Sequence, residues 1–274
     1  MKRTNISVTG PVRKPYKVAL VSDVHNIRPR NILIYLSSDP PDYILINGDL
    51  LYAGGKNRSI YDYDPESGQH LRNAENAQIL LQKAVKIAPV IFSTGNHELY
   101  LDDKDKSILA DLGVCFLDND YQRFGDLIFG GLSSPYKIFA GTGVSKTKEE
   151  HKRRWEMVFE NVNTVWLDDF ERQDGYKVLL CHHPEFYEPF LKKRPCIDLI
   201  VSGHAHGGQI RLFGRGLFAY GQGFLPKYTS GIYDNRLIIS RGLSNTSKVP
   251  RLFNSTEIVY IDLMPRNSEL INGG

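Results

Sequence analysis

Apolar runs of strand length recur along the chain and end in small or polar residues. They are KVALVSD at 17–23, YILINGD at 43–49, VIFSTGN at 90–96, KVLLCHH at 177–183 and DLIVSGH at 198–204. Each is apolar on both faces, which suits a sheet covered on both sides. Helical periodicity falls between several of them, over 30–37, 70–88 and 149–161; in the second, Leu71, Ala74, Ala77, Leu81, Ala84 and Val85 share one side. This alternation predicts an α/β fold. From Leu127 onward strand patterns dominate, with GQIRLFG, GIYDNRLIISRG and STEIVYIDL reading as hairpins around Gly214, around Asp234 and Asn235, and around the loop 244–250. No repeat period or long linker interrupts the pattern, so one domain over 1–274 is the economical expectation. Two stretches rich in turn-forming residues, 52–69 and 133–148, read as surface insertions of the kind that become lids or binding loops.

Composition narrows the class without deciding it. Hydrophobic residues at 41% and charged residues at 24%, with no low-complexity tract, describe an ordinary globular chain. A net charge of +3 slightly favours anionic partners such as phosphorylated substrates or a lipid surface, and falls short of the basic excess of a nucleic-acid binder, so no nucleic acid is expected. Cys115, Cys181 and Cys196 form no CxxC pair, and their odd number argues for a reducing compartment, with core packing as their role. No apolar h-region follows the basic start, and no apolar stretch reaches the ~18 residues of a spanning helix. The expectation is a soluble, cytoplasmic protein.

The apolar runs end in residues that bind metals. Asp23 and His25 follow the first, Asp49 the second, and Asn96 and His97 the third; His182 closes the run at 177–183, and His204 and His206 follow the last. In α/β sheets the carboxyl ends of strands are where sites assemble, because loops converge there while the strands fix their positions. Mixed oxygen and nitrogen donors suit Mn, Fe, Co, Ni or Zn better than Mg or Ca alone, and the lack of a thiolate pair argues against a structural zinc. The donors exceed what one ion can take. A carboxylate such as Asp49 can bridge two, and such a pair lowers the pKa of a bridging water enough for it to attack phosphorus in line.

The ordered set SDVH, NGD, GNHE, CHHP and GHAH resembles the calcineurin-like metallophosphoesterase superfamily, whose motifs occur in that order. The segments GHAHGGQIRLFGRG and PRLFNSTEIVYIDL are similar to a bacterial subgroup that includes UDP-diacylglucosamine hydrolases and related peripheral-membrane phosphoesterases. The resemblance implies a four-layer αββα sandwich with two mixed sheets. It implies two divalent cations, one on Asp23, His25, Asp49 and His206, the other on Asp49, Asn96, His182 and His204. His97 would contact the phosphate or protonate the leaving group, making His97, Asp49 and Asn96 the catalytic residues. His183 would point elsewhere, since adjacent strand residues face opposite sides. The implied substrates are phosphomonoesters or phosphodiesters, including nucleotide-sugar or lipid-linked pyrophosphates, with peripheral membrane contact. Among scattered cations, Arg28 is the candidate contact for substrate phosphate.

Departures from related patterns bound this reading. Where protein phosphatases carry GDxVDRG, this chain has GDLLYAGG, which argues against a protein phosphatase. Tyr52 fits the tyrosine place of purple acid phosphatases, but His25 makes a tyrosine ligand redundant. The rival from another class is a protein-binding scaffold of the same fold with degraded metal sites, and ligands at every motif argue against it.

Overall fold

The computed structural model describes residues 1–52, 69–139, 147–246 and 249–266. Most of the two expected insertions, at 53–68 and 140–146, therefore lies outside the described residues. The strands are β1 (Lys2–Gly10), β2 (Tyr16–Val21), β3 (Tyr43–Asn47), β4 (Val90–Ser93), β5 (Cys115–Leu117), β6 (Asp120–Phe124), β7 (Leu127–Leu132), β8 (Tyr176–Cys181), β9 (Leu199–Ser202), β10 (Arg211–Leu212), β11 (Arg215–Gly216), β12 (Phe218–Ala219), β13 (Gly223–Phe224), β14 (Gly231–Tyr233), β15 (Leu237–Ile239) and β16 (Glu257–Pro265). The helices are α1 (Arg30–Ser38), α2 (Glu75–Ala84), α3 (Asp103–Asp111), α4 (Lys148–Glu160) and α5 (Leu167–Arg172).

Two six-stranded sheets form, ordered β1-β16-β2-β3-β4-β5 and β14-β15-β9-β8-β7-β6. Both are mixed: β2, β3, β4 and β5 run parallel while β16 opposes β2, and β7, β8, β9 and β15 run parallel between antiparallel edges. The period-two alternation of side chains sorts each apolar run between two cores. In β2, Val18 and Leu20 pack toward the second sheet with Phe129, Val178 and Val201, whereas Ala19 and Val21 pack against Ile32 and Leu36 of α1 and Leu80 of α2. In β8, Val178 and Leu180 face inward, and Leu179 packs outward with Val158 of α4 and Phe170 of α5. The result is the expected αββα layering, metallophosphoesterase-like in its two facing mixed sheets.

Three features depart from the sequence reading. The helical pattern over 70–88 yields a helix only at Glu75–Ala84, because His70 and the Arg72 N–H bond Asp105 and a single 3₁₀ turn, Leu71–Asn73, intervenes. The polar segment Asp103–Asp111 is helical as well, started by Asp102, whose carboxylate accepts the Lys104 and Asp105 N–H groups. The run STEIVYIDL does not close a hairpin: β16 leaves the second sheet and lies between β1 and β2 in the first, parallel to β1 over nine residue pairs. Of the cysteines, Cys181 is buried, but Cys196 is exposed and has no packing role.

Candidate metal centre

The carboxyl ends of β2, β3 and β4 in one sheet and of β8 and β9 in the other meet at one rim. Asn47 stitches them, donating from Nδ2 to the Val201 carbonyl at 2.9 Å and accepting at its own carbonyl from His182 Nδ1 at 2.8 Å. Beyond these strand ends the backbone turns into the left-handed region at Asp23, His25, Asp49, His204 and His206, with φ between 45° and 62°. Such conformations disfavour residues with a Cβ, and their concentration here is characteristic of a functional site. Gly95 and Gly203 allow the close approach: a Cβ on the first would lie 2.3 Å from Asp49 Oδ1, and on the second 2.6 Å from Asp23 Oδ2.

Four overlapping groups of donors result, Asp23 with His25 and His206, His25 with Asp49 and His97, Asp49 with His182 and His204, and His204 with His183 and Glu185, each with ligand atoms within 4.8 Å of one another. Asp49 Oδ2 is 3.2 Å from His182 Nε2, 3.7 Å from His25 Nε2 and 4.0 Å from His97 Nε2, while Asp23 Oδ1 is 3.5 Å from His206 Nε2. The backbone fixes the carboxylates, since the His97 N–H donates to Asp49 Oδ1 and the His204 N–H to Asp23 Oδ1. The far ring nitrogens are fixed likewise. Nδ1 of His25, His182 and His206 each meets a carbonyl, of Leu51, Asn47 and Ser244. That anchoring leaves Nε2 free to bind a cation and sets the ring orientation.

These donors suit a cation. His25 Nε2, His204 Nε2 and Asn96 Oδ1 are buried with no hydrogen-bond partner, a condition that costs ~1–3 kcal/mol for each group unless something else satisfies it. Imidazole and carboxylate oxygens in this mixture fit a borderline divalent ion. Burial holds His25, His204 and His206 below the ordinary imidazole pKa, so they are neutral, as ligation requires. His182 differs. Burial opposes its ionisation, but the Asp49 carboxylate outweighs this and holds the ring's pKa up to about 10, so a cation would displace a proton. Burial pushes Asp49 upward too, yet the surrounding imidazoles, His182 foremost, hold it well below the carboxylate range.

Six of the seven residues expected to hold cations thus come together at this rim, with His97, whose ring centroid is 4.4 Å from that of His25; Asn96 stands between Gly95 and His97, which both approach Asp49. Tyr52 stacks on His97 at 6.0 Å. Arg28 instead is exposed and lines a groove between α1 and α2 with Arg30, Leu33 and Lys83. His183 turns away from Asp49, bonding Ser134 Oγ at 2.8 Å and stacking on Tyr136.

Sequence reasoning passed over three supporting residues. Glu98 accepts the N–H groups of Asp49, Leu51 and Gly95, fixing the loop that presents Asp49; the E of GNHE was its signal. Arg251 donates to the Ser244 carbonyl at 2.6 Å behind His206. Glu185, its side chain 5% exposed, sets Oε1 3.7 Å from His204 Nε2, and burial pushes its carboxyl up to about 8.

Two facing mixed sheets with an Asp, Asn and His cluster at their shared rim define a metallophosphoesterase-like protein. The match to known families agrees: residues 16–208 fit the model of calcineurin-like phosphoesterases, and the chain belongs to that family. It is 27% identical over 240 residues to the protein YpbG of Bacillus subtilis, covering 87% of this chain and 76% of that one. A metallophosphoesterase of Helicobacter pylori is 23% identical over 263 residues, and this chain spans 61% of its length. A Bos taurus transmembrane protein with a metallophosphoesterase domain is 30% identical over 144 residues, which is 52% of this chain and 30% of that protein.

Proposed function

We propose that the chain is a single-domain hydrolase of phosphomonoesters or phosphodiesters working with two divalent cations. The observation that carries this reading is the set of buried, unpartnered donor atoms converging on Asp49. Asp23, His25, Asp49 and His206 would hold one cation, and Asp49, Asn96, His182 and His204 the other. Bound there, the cations supply charge neutralisation for the phosphoryl oxygens and activation of water. The chain's own residues do the rest. Asp49 and Asn96 fix the floor against which the phosphoryl group is oriented, and His97, kept neutral by burial, offers an N–H to a phosphoryl or leaving-group oxygen. Nucleotide-sugar and lipid-linked pyrophosphates belong to the same reading, as does Arg28 as a substrate contact and a cytoplasmic location peripheral to the membrane.

Chelation tests the reading. Protein stripped with chelator should lose turnover of chromogenic phosphate mono- and diesters by ~10²-fold or more, and regain it with at least one of Mn, Fe, Co, Ni or Zn. Folded protein that turns over none of these esters under any of the five would overturn it. Profiling the active form against mono-, di- and pyrophosphate esters then selects among substrates.

A further inference from the structure

We propose that His183, Glu185 and His204 hold a further divalent cation, zinc in particular, beside the proposed pair and in competition with it for His204. The end of β8 sets this up. His182 follows the strand and faces Asp49, alternation turns His183 to the other side, and Pro184 starts a 3₁₀ turn that brings Glu185 round to it. His204, which follows β9, stands between the two sides, its ring centroid 5.3 Å from that of His182 and 4.5 Å from that of His183. Donor atoms of His183, Glu185 and His204 lie within 4.8 Å of one another. Glu185 Oε1 is 3.7 Å from His204 Nε2, a gap that two bonds of about 2.0–2.2 Å to one zinc ion would span.

Every donor on this side is buried and idle. His183 Nδ1, both Glu185 oxygens and His204 Nε2 have no hydrogen-bond partner, although His183 is 1% exposed and the Glu185 and His204 side chains 5% and 7%. The other ring nitrogen of His183 is anchored on Ser134 Oγ at 2.8 Å and the ring stacks on Tyr136, the kind of outer contact that orients a ligating imidazole. Gly221 closes in on the carboxylate, where the Cβ of any other residue would strike Oε1. The group of His70, Asp102 and Asp105 is different. Its carboxylates receive the Arg72 guanidinium at 2.9 and 3.0 Å and so already have their cation.

Two imidazoles with one carboxylate form a zinc donor set that leaves a fourth position open to water. Ligation needs the carboxylate form, so Glu185 gives up a proton as the ion enters. A neutral imidazole has a single lone pair for a metal. An ion here therefore takes His204 from the proposed second cation and leaves that one on Asp49, Asn96 and His182. This makes it the weaker position, filled when zinc is in excess, and filling it lowers turnover. The effect on turnover rests on the proposed function and the binding does not, so the two are measured separately.

Equilibrium dialysis against rising free zinc should show the unaltered chain taking up one ion more than Glu185→Gln and than His183→Ala, with circular dichroism checking the fold of each. Glu185→Gln, nearly the same in shape, carries the comparison should His183→Ala not fold. Anomalous diffraction from zinc-soaked crystals should place an ion on His183 Nδ1, Glu185 and His204 Nε2. Excess zinc should inhibit ester hydrolysis by the unaltered chain, and that inhibition should be lost in both variants. Equal zinc uptake by the unaltered chain and folded Glu185→Gln, or zinc density around Asp49 alone, would overturn the site. Inhibition that persists in both variants would overturn the competition for His204. A chain that binds this ion yet hydrolyses no ester would sink the proposed function and keep the site.

Discussion

Asp49→Ala is expected to abolish turnover and to strip the centre of cations. The carboxylate of Asp49 lies near His25, His97 and His182 together, and both proposed cation positions depend on it. Its removal also takes away the acceptor of the His97 N–H, and with it the charge that offsets the burial of His182. Loss of the shared ligand should reduce the rate by more than about 10³-fold, since both water activation and charge neutralisation fail at once. Elemental analysis should show well under one metal per chain, and circular dichroism an unaltered fold. An Asp49→Ala protein that keeps two metals or substantial activity would break the two-cation assignment.

The second large effect is expected at His97, and its character differs. His97 lies at the edge of the ligand cluster, 4.0 Å from Asp49 Oδ2 and stacked on Tyr52, and the proposed cations do not need its ring. His97→Ala should keep its metals while kcat falls by about 10² to 10⁴-fold. A loss near the lower end fits an N–H donor to phosphate, and one near the upper end fits a proton donor to the leaving group. Comparing esters with good and poor leaving groups separates these, because a lost proton donor harms the poor leaving group more. Should elemental analysis find His97→Ala depleted of metal, the residue is a ligand and its proposed role is wrong.

That distant residues would meet at one rim was legible because each of Asp23, Asp49, Asn96, His182 and His204 sits at or just past the polar end of an apolar run. Strands buried on both faces leave little freedom in where such ends point. The layering was legible for the same reason, as continuous runs require cover on both sides. Other parts carried no comparable signal. In β1 only Ile6 and Val8 are apolar, and its place comes from nine consecutive pairings with β16 that only the assembled sheet supplies. The path of β16 was misread because chain proximity to β15 suggests a hairpin, whereas its apolar faces fit between β1 and β2. Glu185 faces His204 Nε2 and Arg251 holds the Ser244 carbonyl behind His206, and a residue that reaches its partner through space leaves no spacing rule in the chain.

The candidate donors are drawn from both sheets, Asp23, His25, Asp49 and Asn96 following strands of the first, and His182, His204 and His206 following strands of the second. Each sheet is knit internally by its own ladder, while the seam between them relies mainly on side-chain packing. Ions lodged at that rim would act as rivets across the seam, adding ~2.7 kcal/mol of cohesion when free ion exceeds its dissociation constant a hundredfold. Heat resistance would then track the ionic supply of the surroundings, and ion scarcity would loosen the molecule first at the mouth where chemistry is proposed.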